Sequence, residues 1–215
     1  MISLWLTIYP QLLSAAWATV QLAALSLVLG LSWGLVVALA RRSRSPALQR
    51  AAGFYVQVFR GTPALIQLFL IYFGLAEFGV KLSSFQAAVL GLGLNTAAYM
   101  AEIYRAGIEA ISRGQTEAAM AIGMRPLQAM RWIVLPQAIR VVLPPIGNVM
   151  INLLKDTSVA SLIAAPDLML RAQDLSAEYF RPLEIYIMVG VVYFLMCFPL
   201  SLLLRRFERR GARAG

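Results

Sequence analysis

Residues 12–40 contain no charged side chain. A helix crossing the roughly 30 Å hydrocarbon layer of a bilayer needs about 20 mainly apolar residues, so this run predicts a transmembrane helix with length to spare for tilt. The rest of the chain is built the same way: 60% of its 215 residues are hydrophobic, only 13% are charged, and the mean hydropathy is +0.72. An ordinary soluble domain is excluded by that balance. The net charge of +9 does not point to nucleic acid, because the basic residues gather at the ends of apolar runs. One cysteine, Cys197, and no histidine rule out a disulfide framework and a His–Cys metal site within one chain. Residues 1–11 lack the charged segment of a cleaved signal peptide, so the first span is expected to remain.

Further apolar stretches predict spans over about 52–76, 82–104, 141–166 and 185–204, giving an all-α integral membrane protein of one domain over residues 1–215. Gly30 and Gly34 have the small-xxx-small spacing of close helix packing, and they also fit ordinary membrane glycine content. Arg60 lies early in the second span and is read as an anchor snorkelling to the near interface, with Pro63 bending the helix after it. Asn95, Tyr99 and Glu102 share one face of the third span by their i, i+4, i+7 spacing, and Glu102 is expected to pair with Arg105. The fourth span carries Lys155 and Asp156, with Asn148, Asn152 and Lys155 as a polar stripe and Pro144 and Pro145 as a source of kinking. An ionised group there costs on the order of 3 kcal/mol on insertion scales, so neither charge is expected to face lipid.

Charge asymmetry predicts orientation. Residues 41–50, 105–140 and 205–213 hold fourteen arginines, whereas the opposite connectors hold only Lys81, Arg171 and Arg181. Positive residues stay inside, so five spans place the N-terminus outside and the C-terminus inside.

Residues 112–136 form the longest basic, amphipathic interruption. Ser112 and Gln115 have capping-box spacing, Gly123 suits a left-handed helix stop, and Pro126 suits the first turn of a second helix. Glu117-Ala118-Ala119, then Gly123, then Ile133 and Leu135-Pro136 at fixed spacing resemble the EAA loop of the membrane subunits of bacterial ABC importers. Phe59-Arg60-Gly61-Thr62-Pro63, Leu94-Asn95-Thr96-Ala97-Ala98-Tyr99, Leu154-Lys155-Asp156-Thr157-Ser158 and Phe180-Arg181-Pro182-Leu183-Glu184-Ile185-Tyr186 resemble the polar amino-acid permease branch of that family.

The resemblance implies a type I ABC importer membrane-domain fold with five transmembrane helices and a cytoplasmic EAA coupling loop. It implies a bacterial inner-membrane location and import of a polar amino acid. The partners implied are a dimer of ABC ATPase subunits, a second permease subunit (identical or homologous) and an extracytoplasmic solute-binding protein. The chain has no Gly-Lys-Ser/Thr phosphate loop, so ATP and Mg belong to the ATPase, and no enzymatic activity or cofactor is expected here. Glu117, Ala118, Ala119, Gly123 and Arg125 are the expected coupling residues. Asn95, Tyr99, Asn152, Lys155 and Asp156 are the expected substrate pathway. Lys155 and Asp156 point about 100° apart on a helix and so need different partners, which are the zwitterionic substrate, a half-helix capped by Asp156, Thr157 or Ser158, or groups across a subunit interface. The competing reading is an ion-gradient-driven transporter or channel using Glu102, Lys155 and Asp156; a non-transporting assembly subunit is a third.

Overall fold

The computed structural model describes residues 2–211, and every regular element among them is helical. Arg213 of the basic tail lies outside the described residues. Helix α1 (Ile2–Arg41) is the long apolar run extended at both ends. After Ser45, Pro46 opens α2 (Pro46–Gly61) in the first helical turn, where its missing N–H leaves no bond unmade. The chain then breaks at Thr62-Pro63 and resumes as α3 (Ala64–Glu77), inclined to α2 by 111°. The stretch expected as a second span is therefore two half-helices rather than the single bent helix the sequence suggests. Pro63 has no N–H to continue the ladder, and its ring pushes Thr62 into the extended region (φ −120°, ψ 148°).

Helix α4 (Ser84–Glu109) starts at a capping box in which Ser83 accepts from the Gln86 amide and Gln86 returns the bond to the Ser83 amide. It is the centre of the bundle, packed most extensively against α1. Gly30 and Gly34 let the two backbones meet: a Cβ on Gly30 would lie 2.5 Å from Thr96 Cγ2, and one on Gly34 would lie 2.6 Å from Met100 Cβ and 2.8 Å from the Ala97 carbonyl oxygen. Packing, rather than membrane-typical composition, accounts for both glycines. The buried face of α4 is correspondingly small-chained, with Ala87, Ala88, Gly91, Gly93, Thr96, Ala97, Ala98 and Ala101.

The interruption at 112–136 forms α5 (Arg113–Ala121) and a tight corner with Gly123 at φ +87°. The Ser112–Gln115 capping box does not form. Ser112 Oγ accepts from the Gly114 amide instead, and the Gln115 side chain meets Gln137 at 3.5 Å. Beyond the corner, Pro126 opens a helix that does not stop at Pro136. It continues through the fourth span as one 38-residue rod, α6 (Pro126–Ile163), which passes Pro144 and Pro145 without a break. A π turn at Met130–Val134 absorbs Pro136, because the Leu135 amide reaches back to Met130 and the ladder skips the donor that Pro136 lacks. The rod tightens to a 3-10 turn over Thr157–Ile163 and ends at Ala164, a left-handed residue.

The connector at 167–184 contains a helix not anticipated from its polarity, α7 (Leu168–Tyr179), capped by Asp167, whose Oδ1 accepts from the Leu170 amide at 2.7 Å. Thr19 of α1 accepts from the Leu168 amide at 2.9 Å. Asp167 is only 2% exposed, and burial pushes its carboxyl up to about 6 against the pull of the Leu170 and Met169 amides. Leu168, Ala172 and Leu175 close a core with Ile8, Leu12 and Ala16 of α1 and Ile185, Met188 and Val189 of the last helix, α8 (Pro182–Gly211).

Among the described residues α1, α6 and α8 are long and apolar enough to cross a membrane, and α2 with α3 adds a fourth if the bent pair is one span. Helix α4, at about 39 Å, has the length but not the hydropathy, because neighbouring helices rather than lipid cover it.

The α1–α4 contact generates a prediction. Gly34→Val drives a branched side chain into the Ala97 carbonyl, and overpacking of this kind costs about 1–3 kcal/mol or more. The thermal unfolding midpoint of the purified variant in detergent should fall by several degrees, whereas Gly53→Val, with nothing within 4 Å of its Cβ, should stay within about a degree of the native chain. Equal midpoints for the two variants would contradict this account of the packing.

Candidate translocation site

The break between α2 and α3 frees backbone carbonyls that must find donors away from water. Gln67, on the first turn of α3 and 6% exposed, supplies them: its Nε2 donates to Phe59 O at 2.9 Å, Thr62 O at 3.1 Å and Thr62 Oγ1 at 2.8 Å. Its carbonyl oxygen accepts from Asn95 Nδ2 at 3.0 Å, and the same Asn95 amide donates to Phe59 O at 3.0 Å. Asn95 is thereby fixed in the corner formed by the half-helices and α4. Gln67 was overlooked in the sequence, although a lone amide four residues after Pro63 in an apolar run is the available signal.

Beside this corner lies a cleft of about 490 Å³. Thr62, Pro63 and Ala64 of the break form one wall, Asn95, Thr96 and Tyr99 of α4 a second, and Asn152 and Asp156 of α6 face them. Asn152 and Asp156 are one helical turn apart, so both look into the cleft. Tyr99 is 40% exposed. The Arg60 guanidinium lies over the Tyr99 ring, 5.4 Å from its centroid. Arg60 is exposed and lies about 21 Å along α2 from Pro46, where the Tyr99 ring offers its guanidinium an aromatic face.

Lys155 is not in the cleft. It lines a separate groove of about 310 Å³ between α6, α7 and α8 with Ser158, Met169, Tyr186 and Tyr193. Lys155 and Asp156 thus look to different sides of α6 and form no ion pair with each other. Neither Asp156, Thr157 nor Ser158 caps a new half-helix, because the chain tightens into a 3-10 turn there without releasing amides. The broken helix of this protein is at Thr62-Pro63. Asn148 is exposed and outside both cavities.

Glu102, one turn beyond Tyr99, serves the helix ends. Arg105 donates to its Oε2 at 2.7 Å as expected, and Arg41, at the end of α1, meets Oε1. Arg41 was not anticipated as a partner, since sequence spacing carries no information about contacts between distant helices.

At the other end of α6, the two helices of the bend pack through Ala119, 4% exposed, and Ala129, fully buried. Glu117, Ala118 and Arg125 are exposed around the corner. Ile122 at 80%, Leu127 at 79% and Trp132 at 64% exposure make the surround apolar. No group of three or more His, Cys, Asp or Glu suited to a metal occurs among the described residues.

Comparison with known proteins gives this arrangement its context. The family described as binding-protein-dependent transport system inner membrane component matches residues 26–213. The chain is 40% identical over 203 residues to the L-cystine transport system permease protein TcyB of Bacillus subtilis (strain 168), covering 94% of this chain and 87% of that protein. It is 38% identical over 202 residues to the arginine transport system permease protein ArtQ of the same organism, covering 94% and 92%. Among solved structures, a chain of an amino acid ABC transporter crystallised with histidines superposes with a TM-score of 0.92 at 40% identity, over 95% of this chain and 96% of that one. A chain of the inward-facing MetNI methionine ABC transporter shares the fold alone, with a TM-score of 0.74 at 22% identity over 93% and 95% of the chains. The fold is that of type I ABC importer membrane domains, and these relatives favour ATP-driven import over an ion-gradient-driven carrier. The chain belongs to the binding-protein-dependent transport system inner-membrane family, in its branch of amino-acid ABC permeases.

Proposed function

We propose that this chain forms the translocation pathway for a polar amino acid in a binding-protein-dependent importer, with ATP and Mg held by a separate dimer of ATPase subunits. The observation that carries the reading is the path of α6. One unbroken rod joins the bent, exposed loop at Pro126 to Asp156 in the cleft, about 45 Å away along its axis. A displacement at the loop therefore reaches the cleft without a flexible joint in between. A second permease subunit, a copy or a homologue, and an extracytoplasmic solute-binding protein complete the assembly. The relatives named above are described as carrying cystine and arginine, which sets the first substrates to try.

Glu117, Ala118, Ala119, Gly123 and Arg125 are the residues we assign to ATPase coupling. The exposed helix and its apolar surround suit a groove on the partner, and Gly123 sets the angle at which the helix is presented. Gly123→Val forces a branched residue to positive φ, a strain of about 1–3 kcal/mol. In proteoliposomes with the partner subunits, uptake and substrate-stimulated ATP hydrolysis should fall at least about tenfold at normal membrane insertion. Native rates in that variant would refute the assignment.

Asn95, Tyr99, Asn152 and Asp156 are assigned to substrate contact, because they are the amide, phenol and carboxyl groups among the residues lining the cleft. Asp156 supplies the charge that an amino group would meet. Asp156→Asn should lower uptake at least about tenfold while the ATPase complex still assembles and hydrolyses ATP. Lys155 lines the neighbouring groove, so Lys155→Met should reduce uptake less than Asp156→Asn; the reverse order would move the pathway to the Lys155 side of α6.

The orientation proposed is N-terminus outside and C-terminus inside across five spans, counting α2 with α3 and α4 as one span each. It rests on the fourteen arginines of one set of connectors against three basic residues of the other. With Cys197→Ser as background, Lys81→Cys should react with an impermeant thiol reagent in intact cells, and Arg113→Cys only after permeabilisation. The opposite labelling pattern would invert the topology.

A further inference from the structure

On the side of α6 away from the cleft, a crevice of about 370 Å³ opens between α1, α6 and α8. Every residue lining it is apolar, among them Val20 and Ala24 of α1, Met150 and Leu154 of α6, and Pro199 and Leu200 of α8. Neighbouring positions on α1 and α8 are apolar and exposed too: Trp17 is 62% exposed and Leu195 60%. Surfaces of that kind belong in hydrocarbon, where an open crevice is filled by whatever surrounds it.

Charge says which molecule that is. Pro199, Leu203 and Arg206 recur at i, i+4 and i+7, so Arg206 lies on the same stripe of α8 as the crevice wall, about 10 Å nearer the C-terminal end of the helix. Arg205 and Arg206 are exposed. Residues 205–210 hold four arginines and a single glutamate. Below the crevice Leu204 packs into the gap left by Gly147, where a Cβ would lie 2.4 Å from Leu204 Cδ1, so α6 and α8 close together there. The opening therefore lies above a basic helix end, with space for a chain and a cation at head-group depth.

We propose that this crevice seats one acyl chain of an anionic phospholipid whose phosphate is held by Arg206. The site is independent of the substrate cleft and of the identity of the transported solute. It gives the lipid a place as a wedge between α1 and α8, helices that meet directly mainly at the other end, around Ile8, Leu12 and Ile185.

The test uses the full chain purified in a mild detergent and incubated with dioleoyl phosphatidylglycerol or dioleoyl phosphatidylcholine, with bound lipid counted by native mass spectrometry. Phosphatidylglycerol should be retained about fivefold better than phosphatidylcholine, the preference expected from one arginine at the membrane surface. Arg206→Gln should bring the two lipids to the same level. Ala24→Trp, which fills the crevice, should lower retention of both. Equal retention of the two lipids by the native chain, or a preference that survives in Arg206→Gln, overturns the proposal. So does an Ala24→Trp variant that changes oligomeric mass while lipid counts hold, because the crevice would then seat a second copy of the chain. Arg206→Gln alters only an exposed side chain, so it decides the matter even where Ala24→Trp fails to fold.

Discussion

A backbone carbonyl without a donor costs several kcal/mol in hydrocarbon, and the break between α2 and α3 exposes carbonyls to that cost. Gln67 relieves it by donating to Phe59 and Thr62 and then takes Asn95 as its own donor. One amide side chain thus makes the break tolerable and sets a polar residue of α4 against it. Without the break, Thr62, Pro63 and Ala64 would be helix interior and the cleft would lose a wall. The polar site and the discontinuity that shapes it depend on each other.

The second constraint is distance. Gly30 and Gly34 of α1 against the small residues of α4 bring the two axes close, and that approach lets Arg41 at the end of α1 reach Glu102 of α4, which Arg105 also holds. Small residues give little hydrophobic area each, but they let many backbone atoms approach to contact distance, which is how helices associate where lipid removes the hydrophobic drive. The ion cluster then works as a clasp on a position that packing has already set. Its net contribution is modest, because each partner is a fifth to a third exposed.

Much of this architecture was legible in the sequence, and the missed parts share a cause. Long uncharged runs announce helices in lipid, and the fixed spacing from Glu117 to Pro136 carries the bent loop, because Gly123 and Pro126 are local signals with local consequences. Periodicity placed Asn95 and Tyr99 on one face of α4 and Asn152 on the polar stripe of α6, and these three residues line one cleft together with Asp156. What failed was anything decided by a third helix. The side of α6 facing the cleft is set by how α6 packs on α4 and α8, so Lys155 was grouped with Asn152 although Asp156 is the residue beside it. The contact of Arg60 with Tyr99 is likewise made between helices, which spacing along one helix does not carry.

The failure of Pro136, Pro144 and Pro145 to interrupt α6 has the largest mechanical consequence. Three prolines in one helix would ordinarily suggest a hinge between loop and membrane. The π turn at Met130–Val134 removes the mismatch before Pro136, and the later pair leaves the helix continuous. The chain changes direction elsewhere, at the Gly123 corner below α6 and at the Thr62-Pro63 break across the cleft from it. Asp156 and Asn152 belong to the rod, whereas Asn95 is bonded to Gln67 of the broken helix, so the two polar walls of the cleft are carried by different elements. The chemistry of the cleft and the mechanics of the loop are joined by the one helix whose sequence looked most prone to break.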